Sequence, residues 1–202
     1  MENIAIFGSG SHSTVVAETL KLLKINFVIY DDKKEKDFYG NTILKCDNVT
    51  EKRGICAIGD DKLREKIVNK INKLHTNFEW INVIHPNAVI SKTCKIGSGN
   101  FINAGCIINA STRIKNHNII NTNASIDHDC SIGDFNHFAP GSVFCGDIKI
   151  GNNNLFGAHS TIINKLNIGN NNIIGASSCI IRNIQNNGVY VGVPGKKIND
   201  IK

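Results

Sequence analysis

A histidine flanked by two carboxylates, Asp127-His128-Asp129, is the strongest chemical signal in this chain. An adjacent carboxylate orients an imidazole and supports its protonated form, which suits a general base that must collect a proton. His137 follows nine residues later, and Gly146 lies eighteen residues after His128. Of the seven histidines, His75 falls at a predicted helix end and His85 precedes Pro86, so both read as structural.

A second candidate site opens the chain. The run Gly8-Ser9-Gly10-Ser11-His12-Ser13 follows the apolar stretch Ile4–Phe7 and precedes a predicted helix. It has the form of a dinucleotide fingerprint with its third glycine replaced, and amides at such a helix start suit a phosphate. Asp31 and Asp32 close a second predicted strand, where an acidic residue meets a ribose in such folds. The segment is too short for both halves of a nicotinamide dinucleotide site. It fits a nucleotide-sugar handle better; a glycine turn without a ligand is the alternative.

The elements that must position these residues are written in a six-residue period. Ile or Phe recurs at every sixth position from Ile84 to Ile180 without a break. A helical period of 3.6 drifts away from such a repeat, whereas six is a multiple of two and returns to the same strand face. Hexapeptide repeats are the signature of a parallel β-helix. Two residues before each large residue sits a small or amide side chain, such as Cys94, Asn100, Cys106, Thr112, Asn118, Cys130 and Asn136. These share the inward face. Gly97, Gly133, Gly151, Gly157, Gly169 and Gly175 each follow a large residue, where glycine is expected to provide the turning angles. On this lattice His128 either points inward by alternation or lies at a corner bend.

Residues 1–80 read differently. Ile4–Phe7, Phe27–Tyr30 and Ile55–Ile58 are predicted strands. One helix is expected with Val15, Val16, Leu20 and Leu23 on one side. A second starts at an N-cap, Asp60 or Asp61, with Leu63, Ile67, Ile71 and Leu74 on its apolar face. The pattern is a small α/β unit with a parallel sheet. The expected division is 1–80 for this Rossmann-like unit and 81–202 for the β-helix, with Phe78–Ile84 a further strand or the linker.

The chain has 202 residues, 41% of them hydrophobic and 6% aromatic, with a formal net charge of +6. Scattered lysines and sparse aromatics argue against nucleic acid; the charge suits anionic small molecules. The start carries no signal-peptide pattern and no stretch approaches a membrane span, so a cytoplasmic location is expected. Seven cysteines form no C-x-x-C pair, and three occupy inward slots as small packing residues.

The stretch Ile126-Asp127-His128-Asp129-Cys130-Ser131-Ile132-Gly133-Asp134, with His137 and Ala139-Pro140-Gly141, resembles a known signature. It is that of the hexapeptide-repeat, left-handed β-helix acyltransferases that modify sugars: the PglD-like nucleotide-amino-sugar N-acetyltransferases and the NeuD-like sialic acid O-acetyltransferases. Gly8–Val16, Asp31-Asp32, Ala57-Ile58-Gly59-Asp60 and Val191-Gly192-Val193-Pro194-Gly195-Lys196 are similar to the same family, so the resemblance spans the chain. Ser13 and Gly195 depart from its usual glycine and alanine.

The resemblance implies a homotrimer with acetyl-coenzyme A between adjacent β-helices and no metal. It implies His128 as general base, oriented by Asp129 or Asp127. His137 would lie near the acetyl group, and the Gly146 amide would contact the thioester carbonyl. Gly157, Gly175 and Lys196 or Lys197 would meet coenzyme A. Gly8, Gly10, His12, Asp31 and Asp32 would hold the nucleotide-sugar, and Asn121 would touch the sugar near its amine. The expected acceptor is the 4-amino group of a UDP- or dTDP-linked 4-amino-4,6-dideoxy sugar used for surface glycans. The alternatives are sialic acid O-acetylation and a non-catalytic nucleotide-sugar-binding β-helix. A cysteine nucleophile at Cys130 and a zinc site of the β-helical carbonic anhydrase kind are rivals; the latter needs two histidines five residues apart, which are lacking. One structural prediction follows from the lattice: Ile132→Asp, on an inward row, unfolds the chain or breaks the trimer, as circular dichroism and sedimentation would show.

Overall fold

The computed structural model describes residues 3–38, 40 and 42–201. Its first part contains β1 (Ile4–Phe7), α1 (Ser11–Leu22), β2 (Phe27–Tyr30), β3 (Arg53–Cys56), α2 (Asp61–Leu74) and β4 (Glu79–Trp80). The four strands are parallel and lie in the order β2-β1-β3-β4. The order reverses between β1 and β3, so a crevice opens beyond their carboxyl ends.

Each helix buries part of the face expected: Val16 and Leu20 in α1 and Ile71 in α2 are buried, and the other expected residues are not. In α1 the buried residues are Ser13, Val16, Ala17, Thr19 and Leu20, while Val15 and Leu23 are exposed. In α2 they are Arg64, Val68 and Ile71. Leu63, Ile67 and Leu74 instead line the crevice. Asp60 is the N-cap of α2, its carboxylate accepting from the Leu63 amide at 2.7 Å. In α2 the pattern misled in part because Leu63, Ile67 and Leu74 border a cleft.

From Val83 to Ile180 the chain winds through seventeen two-residue strands. The first fourteen each pair in parallel with the strand eighteen residues on, as Ile114 does with Ile132, giving three sheets and a triangular β-solenoid. The second residue of each strand points inward; Ile102, Ile120, Ile126, Phe138, Phe144 and Phe156 are at most 1% exposed. Burying each such side chain is worth roughly 1.5–3 kcal/mol before conformational entropy is counted. The amide slots form an internal ladder. Asn100, Asn118, Asn136, Asn154 and Asn172 stack at successive coils, each Oδ1 accepting from the backbone and side-chain amide of the next. Their remaining N–H groups donate to backbone carbonyls such as those of Gly133 and Gly151. Buried amides are tolerable because every group is matched.

The glycines after large residues have a different cause from the one expected. Gly97, Gly133, Gly151, Gly157, Gly169 and Gly175 do not have positive φ; a Cβ at any of them would collide with the next coil or the hairpin after it. The left-handed conformation falls three residues after a large lattice residue, at Asn123, Asp129, Asp147, Asn153 and Asn171 and also at His117, Phe135, His159 and Lys165. Asn and Asp adopt it at little cost, the others at more. An antiparallel hairpin, Gly188–Val191 with Lys196–Asp200, closes the far end and was not anticipated.

The three outward faces differ. One carries Val83, Phe101 and Ile119, buried beneath α1 and the parallel sheet. The second presents Val89, Ile107 and Val143 to solvent, and the third Lys95, Arg113 and Lys149. Within the described residues no helix is long and apolar enough to cross a membrane. The ladder makes a quantitative prediction. Asn136→Ala strands partners in two neighbouring coils and lowers stability by about 2–4 kcal/mol, whereas Lys149→Ala on the outer row stays within about 0.5 kcal/mol; urea unfolding measures both.

Candidate active site

The crevice beyond β1 and β3 is a cleft of about 1090 Å³. Gly8, Gly10, His12, Asp31 and Asp32 all line it, as the sequence suggested. Gly8 has φ +106°, and a side chain there would strike Ile58. Gly10 is the N-cap of α1, and a Cβ there would meet nothing within 4 Å, so the helix start is open to a ligand. Ser13, in place of glycine, is buried and donates to the Gly10 carbonyl at 2.6 Å. Asp31 accepts from the Ser9 amide at 3.0 Å and the Ser9 hydroxyl at 2.8 Å, which braces the glycine loop. Asp32 pairs with Lys70 at 2.8 Å and accepts from the Cys46 amide. Despite partial burial, these donors hold both carboxyls below their usual range. Lys33, Lys34, Lys66 and Lys73 add positive charge along the cleft.

The cleft reaches the solenoid at His12. Its ring lies 5.4 Å from Phe101 and 6.1 Å from His137, centre to centre. His137 Nδ1 is 3.2 Å from the Gly59 carbonyl, and Nε2 is 3.4 Å from Asn121 Nδ2. Burial, helped by the Arg64 charge, pushes His137 down to about 4; burial, His137 and Arg64 together push His12 to about 3.

Sequence reasoning missed Arg64. It is 1% exposed and donates only to backbone carbonyls: His117, Ile58, Gly59, Phe135 and Asn136, at 2.7–3.4 Å. Two acceptors come from the cleft loop and three from the solenoid. Its one available signal is the register Arg64–Val68–Ile71, an arginine in line with two core residues.

His128 lies elsewhere. It occupies the corner turn after the strand Ser125–Ile126 and is exposed, which removes the inward alternative. Its Nδ1 is 2.7 Å from Asp129 Oδ2, and Asp129 takes the left-handed corner position. Asp127 instead accepts from the His128 backbone amide at 2.8 Å and from Asn109 at 2.9 Å, so it shapes the turn. The ring lies over Gly146 one coil on; a Cβ there would come 2.7 Å from Nε2. Among the described residues the Gly146 N–H has no hydrogen-bond partner. The Asp129 hydrogen bond, with the nearby negative charges, raises the His128 pKa. Cys130 is buried and donates to the Cys145 carbonyl; burial pushes its thiol up, which disfavours a nucleophile.

The expected coenzyme A residues divide between corners. Gly146 stacks beside His128, Gly157 and Gly175 continue the column of Asn103 and Asn121, and Lys196 is exposed at the start of the final hairpin strand. The apolar face separates the two corners, so one chain does not bring the two groups together.

A parallel sheet with a switch-point cleft, joined to a hexapeptide solenoid bearing a corner His–Asp pair, defines a class of sugar-modifying acyltransferases. Comparison with known proteins agrees. Residues 3–71 match the family model described as the PglD N-terminal domain. The chain is similar to PerB of Caulobacter crescentus, solved with CoA and GDP-perosamine: 30% identity, TM-score 0.92, 98% of each chain covered. It is also similar to the acetyltransferase domain of PglB from Neisseria gonorrhoeae, solved with acetyl coenzyme A: 27% identity, TM-score 0.90, covering 97% of this chain and 98% of that one. A curated relative, UDP-N-acetylbacillosamine N-acetyltransferase of Bacillus subtilis (strain 168), is 32% identical over 118 residues, 52% of each chain. Another, uncharacterized protein L142 of Acanthamoeba polyphaga mimivirus, is 39% identical over 79 residues, 37% of this chain and 15% of that protein. The chain thus spans about half or less of the curated relatives it matches. It belongs to the PglD/PerB-like family of hexapeptide-repeat acetyltransferases.

The buried histidines predict a pH dependence. His12, His117 and His137 have folded pKa values of about 3, 4 and 4, below the unfolded value of 6.5. The unfolded chain therefore binds more protons below pH 6.5, and stability is lost as pH falls from there toward 4. Each histidine adds a slope of roughly 1.4 kcal/mol per pH unit in that window. His137→Asn reduces the combined slope by about a third, as urea unfolding between pH 6 and 5 would measure.

Proposed function

We propose that this chain transfers the acetyl group of acetyl-coenzyme A to the 4-amino group of a nucleotide-linked 4-amino-4,6-dideoxy sugar, by direct attack. The observation carrying this reading is the His128–Asp129 pair, 2.7 Å apart, with the ring set over Gly146. With Nδ1–H donated to Asp129, Nε2 keeps its lone pair and takes the proton released as the amine attacks the thioester carbon. The Gly146 N–H, open at the same corner, stabilises the carbonyl oxygen as it gains negative charge. The thiolate of coenzyme A leaves.

The substrate class rests on the cleft and the relatives. Residues 1–80 hold the nucleotide: the helix start at Gly10 and the lysines suit a diphosphate, and Asp31 and Asp32 stand where a ribose would lie. PerB was solved with GDP-perosamine, and two histidine variants of perosamine N-acetyltransferase were solved in the same kind of complex. Residues 81–202 are the acetyltransferase unit. Gly157, Gly175 and Lys196 meet coenzyme A, and Asn121 and His137 lie at the sugar and acetyl groups.

A homotrimer accounts for the two separated corners. Packing the apolar Val89–Ile107–Val143 face against a neighbour sets the His128 corner of one protomer beside the Asn121–His137 corner of the next. Acetyl-coenzyme A and nucleotide sugars place the reaction in the cytoplasm, in the supply of surface glycans.

Thiol release from acetyl-coenzyme A, with UDP-, dTDP- and GDP-linked amino sugars and with sialic acid as acceptors, tests the reading. Turnover on one amino sugar is expected, with His128→Ala lowering kcat at least about 100-fold. Sialic acid as the sole acceptor would move the chain to O-acetylation, and nucleotide-sugar binding without turnover to a binding role. Activity should rise with pH through the raised His128 pKa, because the base must be neutral. Asp129→Asn removes the main cause of that raising, so the acid limb moves to lower pH while kcat falls.

A further inference from the structure

One side chain at the seam between the parallel sheet and the solenoid is held from two sides. His137 Nδ1 lies 3.2 Å from the Gly59 carbonyl oxygen. A carbonyl only accepts, so Nδ1 carries the proton. On the other side Asn121 cannot turn its amide round, because its Oδ1 already accepts from Asn103 Nδ2 at 3.2 Å and from the Thr122 amide at 2.8 Å. Asn121 Nδ2 therefore faces His137 Nε2 as a donor, at 3.4 Å, and Nε2 offers a lone pair.

Each end of this chain is anchored. Asn103 is 4% exposed; its Oδ1 accepts from the Ala104 amide at 2.8 Å, and its Nδ2 also donates to the Thr122 hydroxyl at 2.9 Å. The Gly59 carbonyl is shared with Arg64, 3.1 Å away, whose other N–H groups bond Ile58, His117, Phe135 and Asn136. Two independent sets of contacts thus demand the same tautomer.

We propose that Arg64 and Asn103 are positioning residues that lock His137, from opposite sides, as the neutral Nδ1–H tautomer, so that the incoming sugar amine takes the place of the long 3.4 Å Asn121 contact and donates to the one lone pair of Nε2. The acceptor role rests on the acetyltransferase reading above; the lock does not. The titratable groups facing His137 are His12, 6.1 Å away between ring centres, and Arg64. Burial first and then the Arg64 charge oppose a second proton on His137, while His12, itself pushed down to about 3, stays neutral beside it. An amine hydrogen held on Nε2 leaves the nitrogen lone pair for the acyl carbon. An imidazolium would instead donate to that lone pair and block attack.

Nitrogen NMR of the histidine-labelled full chain at pH 7 reads the tautomer directly. Wild type is expected to show His137 protonated at Nδ1 only, without titrating between pH 8 and 5. Asn103→Ala frees the Asn121 amide, and Arg64→Lys keeps the charge but loses the fan of bonds; each should give mixed tautomers and a titration within that range. With the amino sugar, each should lower kcat/KM about tenfold, the loss of one hydrogen bond, while the KM for acetyl-coenzyme A is unchanged. Near-UV circular dichroism checks the fold of both variants. A wild-type His137 that is charged or protonated at Nε2 would overturn the lock, as would a tautomer unchanged in both folded variants. An intact lock in a chain that acetylates no amine would overturn the acceptor role together with the functional reading, and leave the lock standing.

Discussion

Arg64 carries a positive charge where water does not reach, and its acceptors are all main-chain oxygens. Burial pushes its pKa down, but only to about 10, so it stays charged at neutral pH. An isolated buried charge would cost many kcal/mol; a full set of hydrogen bonds offsets most of that cost. The arrangement tolerates no sliding between α2 and the solenoid, because a shift of one residue in either would leave carbonyls unpaired at about 1–3 kcal/mol each. The angle between cleft and solenoid and the seat of His137 against Gly59 depend on it. An apolar seam would have been easier to build but would leave the relative placement softer.

The solenoid makes that placement useful. Its three faces are periodic, so a corner residue repeats its position eighteen residues later with little freedom, as Gly146 does beside His128. Stacking of each coil on the next spreads stability along the prism. The corners carry the recurring left-handed residues, and the His128–Asp129 pair sits at one of them. Asp129 serves two needs at one position: aspartate tolerates the left-handed bend, and its carboxylate reaches the neighbouring imidazole.

Much of this was legible before any coordinates. The six-residue period set out the inward rows, and the Asp-His-Asp triplet stood out as chemistry, although the period left His128 either inward or at a corner. The cleft glycines and Asp31-Asp32 were visible because short loops at strand ends leave local signatures. Arg64, Asn103 and the Gly59 carbonyl were not, since their roles depend on partners 53–78 residues away or on an adjacent coil. The glycines show the same limit from another side. Their spacing was plain, but the reason for it is a neighbouring coil that only the stacked structure supplies. The second helix misled in part because an apolar stripe can face a cleft as readily as a core.

The histidines of this chain divide by environment, and the division assigns their work. His128 is exposed, beside carboxylates, and gains proton affinity; His12 and His137 are packed near a buried guanidinium and lose it. At neutral pH the first can take up a proton and the others resist one. Proton transfer needs a group poised to change charge, while holding a neutral amine needs groups that do not. In the proposed reaction one residue type supplies both, because the fold sets opposite electrostatics at two corners of a single prism. A second copy of the chain joins those corners in the proposed reaction, and the separation of proposed base and acceptor site within one protomer would make catalysis depend on assembly.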